Sequence, residues 1–235
     1  LSSSSAASDV YKRQGYGPQG RGQSLNLRDN GFNVNVGLRH GKSYDHALKD
    51  GWKPGKNLFT IEESADRGDI VQYLLSDAGQ ISCWDKIKPF LKTDKTLCFS
   101  HGFGIVFNEK TNINPPEDID VVLVAPKGSG LTVRDKFVEG KGINSSYAIH
   151  QDYSGNAETV VKSLAFGLGS GYLFKTTFEN EVYSDLLGER CVLMGLIQGA
   201  FLAQYNVLRQ RGHSPSEAYN ETCLLYTSDA ADEED

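Results

Sequence analysis

Two carboxylates four residues apart carry the sharpest chemical signal in the sequence. In Asp185-Leu186-Leu187-Gly188-Glu189, Asp185 and Glu189 stand at i and i+4, a spacing that puts both on one face of a helix about 6 Å apart. Hard oxygen donors at that spacing can share a Mg2+ ion. A solvated acidic face is the competing reading; Glu179 and Glu181 just upstream, and the apolar stretch that follows, argue against it. His101 and Lys127 each follow a short apolar run, and open α/β sheets bind ligands beyond the C-terminal ends of their strands. Lys127 lies between Pro126 and Gly128, with Ser129-Gly130 following, a composition suited to a tight turn whose backbone approaches a ligand closely. An ordinary structural histidine and a surface lysine are the plainer alternatives. The fourth signal is Gly15-Tyr16-Gly17-Pro18-Gln19-Gly20, a Gly-x-Gly-x-x-Gly turn leading into a plausible helix over 23–30. Such a turn brings backbone close to a pyrophosphate, and the helix N-terminus behind it offers free N–H groups and partial positive charge. Arg39 ends the next strand-like run, with Lys42 and Ser43 close by. An acidic residue there favours NAD and a basic one accommodates a 2′-phosphate, so NADP is the expected cofactor.

Alternating elements would position these groups. Strand-like runs cover 33–38, 70–75, 96–99, 120–124 and 145–149; helical periodicity covers 44–50, 61–67, 84–91 (broken at Pro89), 131–139 and 156–168. The alternation predicts an α/β fold, a doubly wound, mostly parallel Rossmann-type sheet. From Phe178 to about Arg211 no strand-like segment occurs, and Leu186, Leu187, Val192, Leu193, Leu196, Ile197, Phe201 and Leu208 recur at helical spacing. Ser214 and Pro215 then read as N-cap and first residue of another helix. The expected organisation is an NADP-binding domain over 15–177 and the start of an all-helical domain over 178–222.

Both ends look foreign. Ala6–Gln14 is small and polar, then basic, without the apolar residues of a central parallel strand, so the first strand of the sheet is expected to be missing. One DNA string read forwards encodes Cys223 to Glu233, and its reverse complement encodes Ser4 to Gln14. Residues 1–14 and 223–235 therefore read as translated sequencing-adapter scars. Much of the formal charge of −6 comes from Asp229, Asp232, Glu233, Glu234 and Asp235, so no partner follows from it. Cys83, Cys98 and Cys191 are widely spaced without a Cys-x-x-Cys pair, which fits buried thiols in a reducing compartment. No run of about 18 apolar residues occurs, so no membrane helix is expected.

Taken in order, the glycine turn with Leu27-Arg28-Asp29-Asn30-Gly31, Leu74-Leu75-Ser76-Asp77-Ala78, Phe99-Ser100-His101-Gly102-Phe103, Val124-Ala125-Pro126-Lys127-Gly128-Ser129-Gly130, Gly142-Ile143-Asn144-Ser145-Ser146-Tyr147-Ala148, Ser184-Asp185-Leu186-Leu187-Gly188-Glu189-Arg190 and Gly212-His213-Ser214-Pro215-Ser216-Glu217-Ala218 resemble the ketol-acid reductoisomerase family. The resemblance spans essentially all of 15–222. It implies alkyl migration in 2-acetolactate or 2-aceto-2-hydroxybutyrate, then reduction by NADPH to the 2,3-dihydroxy acid, in valine and isoleucine biosynthesis. By the same resemblance Asp185 and Glu189 are metal ligands, and His101 and Lys127 are catalytic. Gly15, Tyr16, Gly17, Gln19, Gly20, Arg39, Ser43, Leu75, Ser76 and Gly130 hold the cofactor. The family takes further metal carboxylates and a substrate serine from the later part of its helical domain. Such a chain on its own would be inactive.

Another two-domain NADP-dependent hydroxyacid dehydrogenase, or a non-catalytic NADP-binding module, fits part of the pattern; Asp185 and Glu189 speak against the first, and their company with His101 and Lys127 against the second for the parent protein, while the second still fits this stretch taken alone. The expected partners are a small-molecule substrate and, for the parent protein, further copies of itself, with neither nucleic acid nor membrane. Location would be cytoplasmic in a bacterium and organellar in a eukaryote.

Overall fold

The computed structural model describes residues 10–14 and 16–224, with side chains for 16–222. The first unit is an eight-stranded sheet. Along the chain it runs β1 (Val10–Gln14), α1 (Pro18–Asp29), β2 (Asn33–Gly37), α2 (Lys42–Lys49), β3 (Leu58–Phe59), α3 (Ile61–Arg67), β4 (Ile70–Tyr73) and α4 (Asp77–Ile87). There follow β5 (Thr96–Phe99), α5 (Phe103–Val106), α6 (Asn108–Thr111), β6 (Asp120–Pro126), α7 (Gly130–Val138), β7 (Ile143–Gln151), α8 (Ala157–Gly167), β8 (Ser170–Lys175) and α9 (Phe178–Asp185).

The strand order is β3-β2-β1-β4-β5-β6-β7-β8. Its first six positions form the parallel Rossmann arrangement, whose chain reverses direction of travel between β1 and β4 and opens a crevice there. β7 pairs antiparallel with β6, and β8 runs parallel to β7.

Alternation along the strands sorts side chains into two apolar layers. On β6, Val122 and Val124 join Leu27, Val34, Val36 and Leu164 in one layer. Val121 and Leu123 join Val71, Tyr73, Leu97 and Phe99 in the other. Helices cover both faces, so β4 and β5 are buried at every position, as expected for parallel strands.

α1 departs from the usual apolar inner stripe. Gln23 and Asn26 are fully buried, and they form a polar stripe with Gln19 and Asn30. Asn26 Nδ2 donates to the carbonyls of Val133 (3.2 Å) and Leu168 (2.9 Å), and Asn26 Oδ1 accepts from Arg134 at 3.0 Å. Asn30 Nδ2 donates to the Gly167 carbonyl at 2.9 Å. Buried amides of this kind are tolerated because they are paired, and they tie α1 to α7 and α8.

The second unit begins inside α9, after Val182. A π-helical run, Leu186–Leu196, leads into α10 (Ile197–Gln210), and α11 (Pro215–Tyr219) carries a capping box formed by Ser214 and Glu217. A last π-turn covers Asn220–Leu224.

Four expectations change. Val10–Gln14 occupies the central position expected to be empty, pairing in parallel with both β2 and β4. Strand pairing uses main-chain groups, which every non-proline residue carries, so the apolar pattern is not a precondition. β3 and β8 were not expected: β3 has two residues, and β8 is a sheet-edge strand with mostly exposed positions, so neither shows alternation. α1 and α4 begin earlier than their apolar periodicity suggests, at Pro18 and at Asp77 behind the N-cap Ser76. Finally, Phe178–Gln210 is a 33-residue helical run containing an 18-residue window of mean hydropathy 1.5, long and apolar enough by length and composition to cross a membrane.

Candidate active site

The crevice between the ends of β1, β2 and β4 holds a cavity of about 570 Å³. Tyr16, Gly17, Arg39, Ser43, Leu75 and Ser76 all line it, together with Leu38, His40, Gly41 and Lys42. Gly41 has φ +147°, a conformation strained for any side chain, and it turns the chain into α2. Gly17 caps α1; no side chain caps that terminus, and Pro18 occupies its first turn. No side chain caps α2 either. Two helix N-termini without side-chain caps, with Arg39 and Lys42 between them, suit the phosphates of a dinucleotide. Gly15 lies outside the described residues. Gln19 and Gly20 lie in the first turn of α1 rather than on the cavity wall.

Gly130 also stands off the cavity. A Cβ there would come within 2.0 Å of the Pro18 carbonyl oxygen, and one on Gly22 within 2.3 Å of the Gly130 carbonyl oxygen. Gly130 therefore serves the close crossing of α1 and α7.

Tyr16 is pinned from below. Its hydroxyl donates to Asp50 Oδ2 at 2.6 Å and accepts from Trp52 Nε1 at 2.8 Å. Arg21 donates to both Asp50 oxygens, at 2.7 and 2.8 Å. Burial, reinforced by the hydrogen bond to Asp50, pushes the tyrosine pKa far up, so the hydroxyl stays a neutral donor. The Arg21 hydrogen bonds hold Asp50 below the ordinary carboxylate range, outweighing its burial.

Beyond the crevice, His101 follows β5 and Lys127 follows β6, and one buried carboxylate joins them. Glu181, from α9, places Oε2 at 3.4 Å from His101 Nδ1 and Oε1 at 3.4 Å from Lys127 Nζ. The Gly102 backbone N–H also donates to Oε2 at 3.4 Å. Burial alone would raise the Glu181 pKa; the nearby His101 ring, the Lys127 charge and the Gly102 amide overcome it, and the net shift is downward. Glu181 is thus an ionised group almost without solvent exposure, which persists only because cationic and N–H partners surround it. Sequence reasoning gave Glu181 no role of its own beyond lying just upstream of Asp185. Its position four residues before Asp185 was the available signal.

Asp185 ends α9 and is half-buried; Glu189 lies in the first turn of the π-helical run and is exposed. Local π-helical turns often mark functional sites. As a donor set, two carboxylates fit Mg2+, which takes one or two protein carboxylates and keeps several waters.

The sheet order, the crevice and its uncapped helix termini define a dinucleotide-binding protein of the Rossmann class. Residues 14–172 match the family model for the acetohydroxy acid isomeroreductase NADPH-binding domain, and 178–228 match the ketol-acid reductoisomerase C-terminal domain. The chain belongs to the ketol-acid reductoisomerase family. It is 62% identical over 215 residues to the mitochondrial ketol-acid reductoisomerase of Neurospora crassa, covering 91% of this chain and 54% of that protein. It is 59% identical to the ketol-acid reductoisomerase (NAD(+)) of Desulfosudis oleivorans, covering 91% of this chain and 61% of that one. A solved NADH-preferring ketol-acid reductoisomerase from an uncultured archean superposes with a TM-score of 0.87 at 36% identity, covering 97% of this chain and 69% of that one. The chain spans about half the length of the Neurospora relative.

Proposed function

We propose that the protein acts as an NADPH-using, Mg2+-dependent ketol-acid reductoisomerase. It would convert 2-acetolactate or 2-aceto-2-hydroxybutyrate to the 2,3-dihydroxy acid, in valine and isoleucine biosynthesis. The observation that carries this reading is the buried Glu181 carboxylate held between His101 and Lys127 at two adjacent strand ends. A dinucleotide-binding domain needs no such buried carboxylate for cofactor binding alone. In the proposed roles Lys127 presents its ammonium group to the negative charge that develops on the substrate's oxygens, and His101 stands against the nicotinamide end of the crevice. Glu181 holds both side chains in place. Asp185 and Glu189 would hold the metal. When bound, Mg2+ supplies Lewis-acid polarisation of the substrate and NADPH supplies the reducing equivalent.

Arg39 and Lys42 beside the crevice support NADPH over NADH. The apolar run Phe178–Gln210 is read as the opening of the helical domain rather than a membrane span, supported by the match of 178–228 to the C-terminal domain. Exposed Leu187, Leu193, Leu196 and Leu202 support burial of this unit against further protein, as in a homo-oligomer. The test is a chimera in which residues 16–222 replace the equivalent part of the Neurospora relative. It should consume NADPH with 2-acetolactate only when Mg2+ is present, and Lys127→Met should remove that turnover. A chimera that folds and binds NADPH but leaves 2-acetolactate untouched would refute the reading.

A further inference from the structure

α1 carries a side-chain connection between the two loops that present His101 and Lys127. Gln23 is fully buried. Its Nε2 donates to Ser100 Oγ at 3.1 Å and to Gln19 Oε1 at 3.1 Å. Gln19 Nε2 donates in turn to the Gly128 carbonyl at 2.7 Å. Ser100 immediately precedes His101, and Gly128 immediately follows Lys127. The chain of bonds therefore runs from the loop after β5, through two amides on α1, to the loop after β6.

We propose that Gln23 is a positioning residue: through Gln19 and Ser100 it holds the His101 and Lys127 loops against the first turns of α1, and so sets the nicotinamide end of the cofactor crevice. This rests on the reading that the crevice binds NADPH. Both donations come from one planar amide, so the two loops are held at a separation that Gln23 and Gln19 together define. An apolar side chain of the same length breaks both at once and leaves the Gln19 carbonyl without its donor. The cavity at the ends of β1, β2 and β4 has none of Gln23, Ser100 or Gly128 in its wall. The adenosine end of the crevice is accordingly independent of the connection.

The two ends can be read separately with NADPH and with adenosine 2′,5′-bisphosphate, each titrated calorimetrically into the 235-residue chain. Gln23→Met and Ser100→Ala should each weaken NADPH binding about tenfold and leave the bisphosphate within twofold. The double variant should bind NADPH no more weakly than the weaker single one. Ser100 is half-buried, so Ser100→Ala decides the matter even if Gln23→Met does not fold. Equal weakening of both ligands, or unchanged NADPH binding in Ser100→Ala, overturns the positioning role while leaving the cofactor reading intact. An unmutated chain that binds neither ligand overturns both.

Discussion

At the residue scale, the cofactor crevice depends on a few charges and hydrogen bonds that can be removed singly. Arg39 lines the cavity where an NAD-using fold would place an acidic residue. Arg39→Asp is expected to weaken NADPH binding by about tenfold or more, the loss of one charge-assisted contact, and to affect NADH little. Parallel titrations of both cofactors check this, and equal affinities in the unmutated chain would count against the NADPH assignment. The comparison matters because the Desulfosudis oleivorans relative carries NAD(+) in its name at 59% identity. Below the glycine turn, Tyr16→Phe leaves the buried Trp52 Nε1 without its acceptor, a loss of about 1–3 kcal/mol readable in the urea midpoint. Asp50 adds a pH signature. Its folded pKa is depressed by Arg21, so its contribution is present above the unfolded carboxylate value near about 4 and is lost as pH falls through the folded value. The stability difference between the unmutated chain and Asp50→Asn should therefore be largest near neutrality and shrink toward pH 3; a constant difference would show that Arg21 does not hold the carboxylate. Most of these residues were legible in the sequence, because strand ends and glycine turns announce ligand positions. Asp50, Trp52 and Glu181 were not, since a polar side chain's partner is set by elements distant in the chain.

At the element scale, α1 and α7 cross in close contact at Gly22 and Gly130. Gly130→Ala would push a Cβ into the Pro18 backbone, where nothing flexible can give way, and costs of about 1–3 kcal/mol follow for overpacking. The expected result is a lower urea midpoint together with weaker NADPH binding, because Pro18 begins the helix behind the glycine turn. An unshifted midpoint would mean the two helices can separate freely. The element types were largely readable: strands at 70–73 and 96–99 and the helix Ile61–Arg67 follow from apolar runs and caps. The polar face of α1 was not, because amides at Gln23, Asn26 and Asn30 look solvated until α7 and α8 supply carbonyls. Likewise the polar side chains of β1 argued against a central strand, yet its position is held by main-chain pairing to both neighbours.

At the scale of the whole molecule, the metal and cofactor functions should separate. In the Neurospora chimera, Asp185→Asn is expected to lower Mg2+-dependent turnover of 2-acetolactate by roughly 100-fold or more, with NADPH affinity nearly unchanged; near-normal turnover would end the metal-ligand assignment. The 235-residue chain by itself should bind NADPH yet show no turnover with 2-acetolactate and Mg2+, since two carboxylates are fewer donors than the family resemblance requires. Turnover above background would refute that. The sequence by itself determined the alternation of strands and helices, the nucleotide turn, and the order of the family motifs, because each is encoded by periodicity or by residues adjacent in the chain. Only the tertiary structure decided which strand fills the centre of the sheet, that β7 turns antiparallel, and that Glu181 meets His101 and Lys127. Those outcomes depend on backbone pairing and on contacts between segments 50 to 80 positions apart, and local sequence carries no record of which distant group a buried polar atom will find.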